Sequence, residues 1–243
     1  MPQTALPKRR LPDQVVHRLA LSYPLSSRTP YPDGGRPVRI TPTSQLARGD
    51  ISNTSLVEFW NHIGTHIDGP AHMTPAGPFT RYCPPTGLFL NSVTVVDIEC
   101  PDSKLIGPKD VKWPRSELAN CELLLLRTGF SLCRQSDPKR YSFKNPGLSA
   151  DFARFVTENC PRLRCLGIDA ISFAAAEYLA EGIQAHKILS ERSNPVLLIE
   201  DMNLASDLSR LQRVLIVPFF IEDVDSCPCT VIAEVLQPAD AQS

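Results

Sequence analysis

The chain has 243 residues, 42% of them hydrophobic and 21% charged, the length of one large domain rather than two small ones and the balance of a globular protein with a sizeable core. Its 25 Lys and Arg against 26 Asp and Glu leave a net charge of -1, which excludes a broad basic face, so no nucleic-acid partner is expected. No apolar run approaches the roughly 18 residues of a membrane helix, and no apolar stretch follows the N-terminal charges as in a secretory signal, so a cytoplasmic protein with no membrane partner is expected.

In chain order, residues 1–15, with Lys8-Arg9-Arg10, read as a solvated arm, residues 16–237 as a single folded domain and residues 238–243 as a tail. The 23 prolines crowd into residues 1–45 and 70–115, where extended segments and loops are expected in place of long helices. Apolar runs of strand length follow at 93–98, 123–128, 164–169, 195–200, 214–218 and 230–235. Most are continuous rather than alternating, the pattern of strands buried on both faces. Helical signals lie between them. Ser149 is a good N-cap ahead of Phe152, Phe155 and Val156, which fall at i, i+3, i+4 on one face. Residues 174–181 are strong helix formers, with Gly182 as the expected stop. Strands mixed with a few helices predict a layered α/β fold with a mixed sheet. The eight cysteines form no C-x-x-C pair, and Cys227-Pro228-Cys229 is too tight to chelate one tetrahedral ion, so buried, reduced thiols are expected.

Three of the five histidines fall in residues 62–72, as His62-Ile-Gly-Thr-His66-Ile-Asp68-Gly-Pro-Ala-His72. Neutral imidazoles and a carboxylate are the ligands that divalent zinc and manganese take. One helical turn would put His62 and His66 on a common face, but Asp68 leaves it, and Gly64, Gly69 and Pro70 break helix. The segment therefore reads as a loop wrapped around an ion, with Thr65 hydrogen-bonding within it. His72, beyond Gly-Pro, is placed to return over the ion and shuttle protons at neutral pH without ligating. His186 and Glu200 are further ligand candidates, because a carboxylate ending a buried strand commonly lines an α/β site. Phe59, Trp60 and Phe79 flank the motif and are candidate stacking surfaces for an aryl substrate, with core packing as the alternative. No G-x-S-x-G is present, so a serine-hydrolase mechanism has no support.

The run His62-x-Gly-Thr-His66-x-Asp68-x-Pro-x-His72 resembles the signature of the cyclase family, metal-dependent hydrolases that include bacterial kynurenine formamidase and isatin hydrolase. The resemblance extends to Gly167-Ile168-Asp169-Ala170, Ala185-His186 and Glu200 before Asn203-Leu204. It implies a swivelling β/β/α fold, a homodimer or homotetramer, and a site for one or two Zn2+ or Mn2+ ions per chain. By the same likeness, His62, His66 and Asp68 hold one ion, while Asp68, His186 and Glu200 hold a second with Asp68 bridging. His72 is then the catalytic acid/base, and Tyr31 falls in an aromatic pocket segment with Phe59 and Trp60 near the substrate. Two departures stand out: Ala20-Leu21-Ser22 replaces the family's Asp-Leu-Ser/Thr, and the stretch from His186 to Glu200 is about two residues longer than in the formamidases.

The expected activity is an amidohydrolase's, cleaving the C–N or C–O bond of a small aryl formamide, lactam or related acyl compound with a metal-activated water. The alternatives are a metal-dependent cyclase or lyase of small-molecule biosynthesis and a non-catalytic binding protein on the same fold.

Overall fold

The computed structural model describes residues 14–77, 79–112 and 115–238. The Lys8-Arg9-Arg10 cluster and residues 239–243 of the expected tail lie outside them. The strands are β1 (Gln14–Ala20), β2 (Arg39–Ser44), β3 (Thr54–Glu58), β4 (His66–Asp68), β5 (Leu88–Leu90), β6 (Val93–Asp97), β7 (Leu105–Ile106), β8 (Leu123–Arg127), β9 (Gly147–Leu148), β10 (Cys165–Ile168), β11 (Leu197–Glu200), β12 (Leu211–Pro218) and β13 (Ser226–Pro238). The helices are α1 (Arg115–Leu118), α2 (Pro138–Phe143), α3 (Ala150–Asn159) and α4 (Leu179–Ser190). Residues 14, 15 and 238, expected in the arm and the tail, are strand residues, because β1 and β13 pair along their length from Gln14↔Pro238 to Ala20↔Ile232.

One mixed sheet runs β5-β12-β13-β4-β11-β10-β8-β6, with β1 added on β13. Strands β6, β8, β10 and β11 are parallel, and β4, β12, β13 and β5 pair antiparallel. Its two ends, β5 and β6, are joined by Asn91-Ser92 alone, and β6 approaches β12, so the sheet curls almost shut. This is the mixed α/β single domain that the pattern of runs predicts.

The continuous apolar runs are explained by what lies on each side. Leu123, Leu125, Cys165, Leu197 and Ile199 point into the curl, against Ile67, Val214, Ile216 and Val231. Their neighbours Leu124, Leu126, Leu166, Ile168 and Leu198 point out, beneath Phe152 and Val156 of α3 and Ala185 and Leu189 of α4. Both faces of each parallel strand are thus removed from water. Helix α3 starts as expected, with the Phe152 amide donating to the Ser149 hydroxyl at 3.1 Å.

The second helix differs from its expected position. It covers 179–190 instead of 174–181, and Gly182 lies inside it. A Cβ on Gly182 would stand 2.4 Å from Ala174 Cα, so this glycine serves the close approach of α4 to the preceding segment and does not end the helix. Gly182→Ala is accordingly expected to destabilise the fold by about 1–3 kcal/mol through overpacking, although Ala favours an isolated helix by about 1 kcal/mol. Urea unfolding of the two proteins checks the sign; a more stable variant would mean that the contact yields freely.

Candidate metal centre

Strand β4 lies between β11 and β13 and is antiparallel to both, with His66 opposite Glu200 and Pro228, and Asp68 opposite Leu198 and Ser226. Residues i and i+2 of a strand share a face. His66 and Asp68 therefore stand side by side, with Glu200 across from His66 on that face, while Ile67 points the other way into the core. The wrapped-loop expectation is corrected here: the spacing that leaves a helical face is the period of a short strand. The loop holds only before and after it. Gly64 has φ +62°, and a Cβ there would meet Leu25 Cδ2 at 2.4 Å, so glycine is required where the chain swings from His62 into β4. Thr65 does not hydrogen-bond within the motif. Its hydroxyl donates to the Asp201 carbonyl at 2.6 Å and accepts from the Tyr23 amide at 3.0 Å.

Asp201 in turn anchors the end of β11. It takes a two-pronged ion pair from Arg134 at 2.7 Å and a hydrogen bond from the Tyr141 hydroxyl at 2.6 Å, so the Glu200 beside it is held in place. Asp169 accepts from the Thr128 amide and hydroxyl, the Gly129 amide and the Ser131 hydroxyl. Its carboxylate pins that loop and is spent on it.

The hydrogen bonds of three imidazoles set which nitrogen is left to face an ion. A carbonyl or carboxylate oxygen only accepts, so His66 Nδ1 donates to Gly64 O at 2.8 Å and His186 Nδ1 to Gly182 O at 2.7 Å. His62 Nε2 donates to Asp225 Oδ2 at 2.9 Å. The remaining nitrogens converge on two buried carboxylates. His62 Nδ1 is 3.0 Å and His66 Nε2 3.5 Å from Asp68 Oδ1. His66 Nε2 is also 3.3 Å from Glu200 Oε2, and His186 Nε2 is 3.5 Å from Glu200 Oε1. The buried His66 Nε2 has no hydrogen-bond partner, a cost of about 1–3 kcal/mol unless something is bound there. Donors of a tetrahedral zinc site with bonds of about 2.0–2.2 Å stand about 3.3–3.6 Å apart. The residues present fit a divalent cation, and His66, Asp68 and Glu200 form one compact set while His62, Asp68 and His72 form another.

Without an ion, protons take its place. Burial alone would lower the His62 pKa, but hydrogen bonds and charges from Asp225 and Asp68 outweigh it and push it up to about 10. Against the same opposing burial, Asp68 and Glu200 raise His66, and Glu200 raises His186. Burial would raise Glu200, yet His186 and His66 hold it well below the usual carboxylate range, and His66 and His62 hold Asp68 down likewise. A raised histidine contributes stability that is complete below its unfolded value of about 6.5 and fades as pH climbs through the folded value. Metal ligation needs the neutral imidazoles and so strengthens over the same range. The gain in Tm on adding Zn2+ to chelator-stripped protein is therefore expected to grow from pH 6 to pH 9 in a thermal scan; a gain that shrinks would contradict the ligand assignment.

His72 sits in the short turn Pro70–His72, its ring 4.2 Å from that of His62. Its Nδ1 donates at 2.9 Å to Asp225 Oδ2, the oxygen that His62 Nε2 also uses. Asp225 is the residue that sequence reading missed. It lies 163 residues from His62 and 153 from His72, just ahead of β13, and nothing in its local spacing marks it. Its other oxygen accepts from Asn61 Nδ2 at 2.7 Å.

The aromatic candidates separate. The Trp60 ring lies 5.4 Å from that of His62, and Phe59 packs edge-on against Phe219 at 6.1 Å. Both line a concavity of about 760 Å³ with Asn61, Ala71, Val224 and Asp225. Tyr31 lies elsewhere, lining a depression of about 430 Å³ together with Pro138 and Lys139 of α2. Phe79 is fully buried beneath Gly69 and belongs to the core.

Among the described residues no helix is long and apolar enough to cross a membrane. The Cyclase family model matches residues 19–175. An uncharacterized protein of Methanocaldococcus jannaschii is 27% identical over 175 residues, spanning 71% of this chain and 78% of its own. Isatin hydrolase A from Labrenzia aggregata, bound to benzyl benzoate, is similar in fold at TM-score 0.68 and 20% identity, covering 91% of this chain and 94% of that one. A structure described as a predicted metal-dependent hydrolase from Bacillus stearothermophilus gives TM-score 0.62 at 20% identity, covering 90% and 98%. With the family model spanning well over half of its length, this chain belongs to the Cyclase family.

Proposed function

We propose that this protein is a metal-dependent hydrolase that cleaves the C–N or C–O bond of a small aryl formamide, lactam or related acyl compound. The observation that carries the reading is the convergence of three imidazole nitrogens on the buried Asp68 and Glu200, with His66 Nε2 otherwise unpartnered. In this reading His62, His66, Asp68, His186 and Glu200 hold one or two divalent ions. When bound, Zn2+ or Mn2+ supplies Lewis acidity toward a carbonyl and acidifies water.

The chain's own groups do the rest. His72, held at Nδ1 by Asp225, has Nε2 free to take a proton from water and deliver it to the leaving nitrogen or oxygen. Trp60 and Phe59 offer a wall for an aromatic acyl compound beside it, and the burial of the carboxylates keeps bulk water away from the reacting atoms. The names of the solved relatives, an isatin hydrolase and a metal-dependent hydrolase, support the same class. Exposed Ile40 and Leu56 on the β2–β3 hairpin, with Phe219 and Phe220, support a homodimer or homotetramer as the working form.

The test is elemental analysis of the purified protein, joined to turnover of N-formylkynurenine, isatin, simple lactones and carbamates before and after chelation. One or two ions per chain and activity lost on chelation are the expected result. Metal-free protein that stays fully active would overturn the reading. Running the reaction in oxygen-18 water separates hydrolysis, which puts one label in the new acid, from a lyase or cyclase, which incorporates none.

A further inference from the structure

We infer that Asp225 is a positioning residue that uses one carboxylate oxygen to set the tautomers of two histidines at once, His62 for metal binding and His72 for proton transfer. The inference rests on the functional reading above and adds a residue from the far end of the chain to it.

Asp225 Oδ2 accepts from His62 Nε2 and from His72 Nδ1, each at 2.9 Å. An ionised carboxylate has no proton to give, so each imidazole must put its hydrogen on the nitrogen facing Asp225. For His62 this leaves Nδ1, 3.0 Å from Asp68 Oδ1, as the nitrogen that an ion can take. For His72 it leaves Nε2 bare, the opposite nitrogen of the ring. A carboxylate that fixes an imidazole's tautomer and orientation is a known means of preparing either a base or a ligand. Here both duties fall on the same oxygen.

Asp225 is itself fixed from the other side, where Asn61 Nδ2 donates to Oδ1 at 2.7 Å and makes a longer contact of 3.4 Å with Ser226 O. Asn61 immediately precedes His62, so the motif contributes the group that orients Asp225, and Asp225 orients the motif's two outer histidines. The two imidazoles lie close enough, 4.2 Å between centroids with their planes tilted by 40°, that a single oxygen can serve both.

This arrangement makes Asp225→Asn a sharp probe. Asn61 donates, so it selects the carbonyl end of an asparagine at 225, and the amide NH2 then faces His62 and His72. Each imidazole must present a lone pair to that NH2, which moves its hydrogen to the opposite nitrogen. His62 Nδ1 loses the lone pair that meets the ion, and His72 Nε2 becomes a donor. Adding Asn61→Asp reverses the donor, so the asparagine carbonyl turns back to the two histidines and restores their tautomers.

The experiment is nitrogen–proton correlation spectroscopy of the imidazole rings in zinc-loaded protein, with only five histidines to assign, joined to zinc affinity from chelator competition. The expected result is an Nδ1–H His72 in the wild type and an Nε2–H His72 in Asp225→Asn, with zinc bound about 10–100-fold more weakly. Both changes should be largely reversed in the Asn61→Asp/Asp225→Asn double variant. A wild-type His72 found as Nε2–H overturns the inference whether or not the variants fold. So does an Asp225→Asn protein with unchanged tautomers and zinc affinity, or a double variant no better than the single one. None of these readouts needs a substrate, so failure of the substrate panel strikes the hydrolase reading alone.

Discussion

Asp68→Asn is expected to strip the bound divalent ions from the protein and lower kcat/KM by about 10³-fold or more, about 4 kcal/mol of transition-state stabilisation. Asp68 Oδ1 is the meeting point of His62 Nδ1 at 3.0 Å and His66 Nε2 at 3.5 Å. Replacing one oxygen by NH2 removes the charge that a cation would meet and aims a donor or a neutral carbonyl at two nitrogens already fixed by their second hydrogen bonds. The fold should survive, because Ile67 and the β11 and β13 pairings are untouched. Elemental analysis, kinetics with added metal and a thermal scan together decide. A folded variant with its full metal complement would show that Asp68 does not ligate.

His72→Ala should behave differently. It is expected to keep the metal and lose about 10²–10⁴-fold in kcat, the usual worth of general acid–base help. His72 is half-buried and its Nδ1 is taken by Asp225, so the ring can move a proton through Nε2 while Asp68, Glu200 and the other imidazoles remain in place. The rival role is concrete, since one ring nitrogen of His72 lies within 4.8 Å of the ligand atoms of His62 and Asp68. If His72→Ala also empties the site, His72 is a ligand, and the acid/base role passes to another group.

The α/β class, the strands buried on both faces and the cluster of imidazole and carboxylate in residues 62–72 were legible in the residue order. Each of these is written in local order. A run such as 123–126, apolar at every position, suits a strand with hydrophobic packing on both sides, and three histidines with an aspartate in one short stretch are chemically legible without a fold. Helix α3 was equally readable, because its cap and its apolar face lie within a few residues of each other. Gly182 misled for a physical reason: a glycine that ends a helix and a glycine that lets two segments touch look the same in one dimension, and only the 2.4 Å approach of Ala174 tells them apart.

What the tertiary structure alone decided is the pairing across distance. Whether His66 and Asp68 share a face depends on β4 being a strand, and β4 is only three residues long. Its conformation comes from ladder hydrogen bonds to β11 and β13, supplied by chain more than 100 residues away. The same pairing puts Glu200 opposite His66. The register of β13 and the loop before it place Asp225 between His62 and His72, and α4 carries His186 to the far side of Glu200. Hydrogen-bond direction, and hence which imidazole nitrogen stays free for an ion or a proton, is a property of these contacts. Residue type sets what a side chain can do; the neighbour that the fold supplies sets which of its atoms does it.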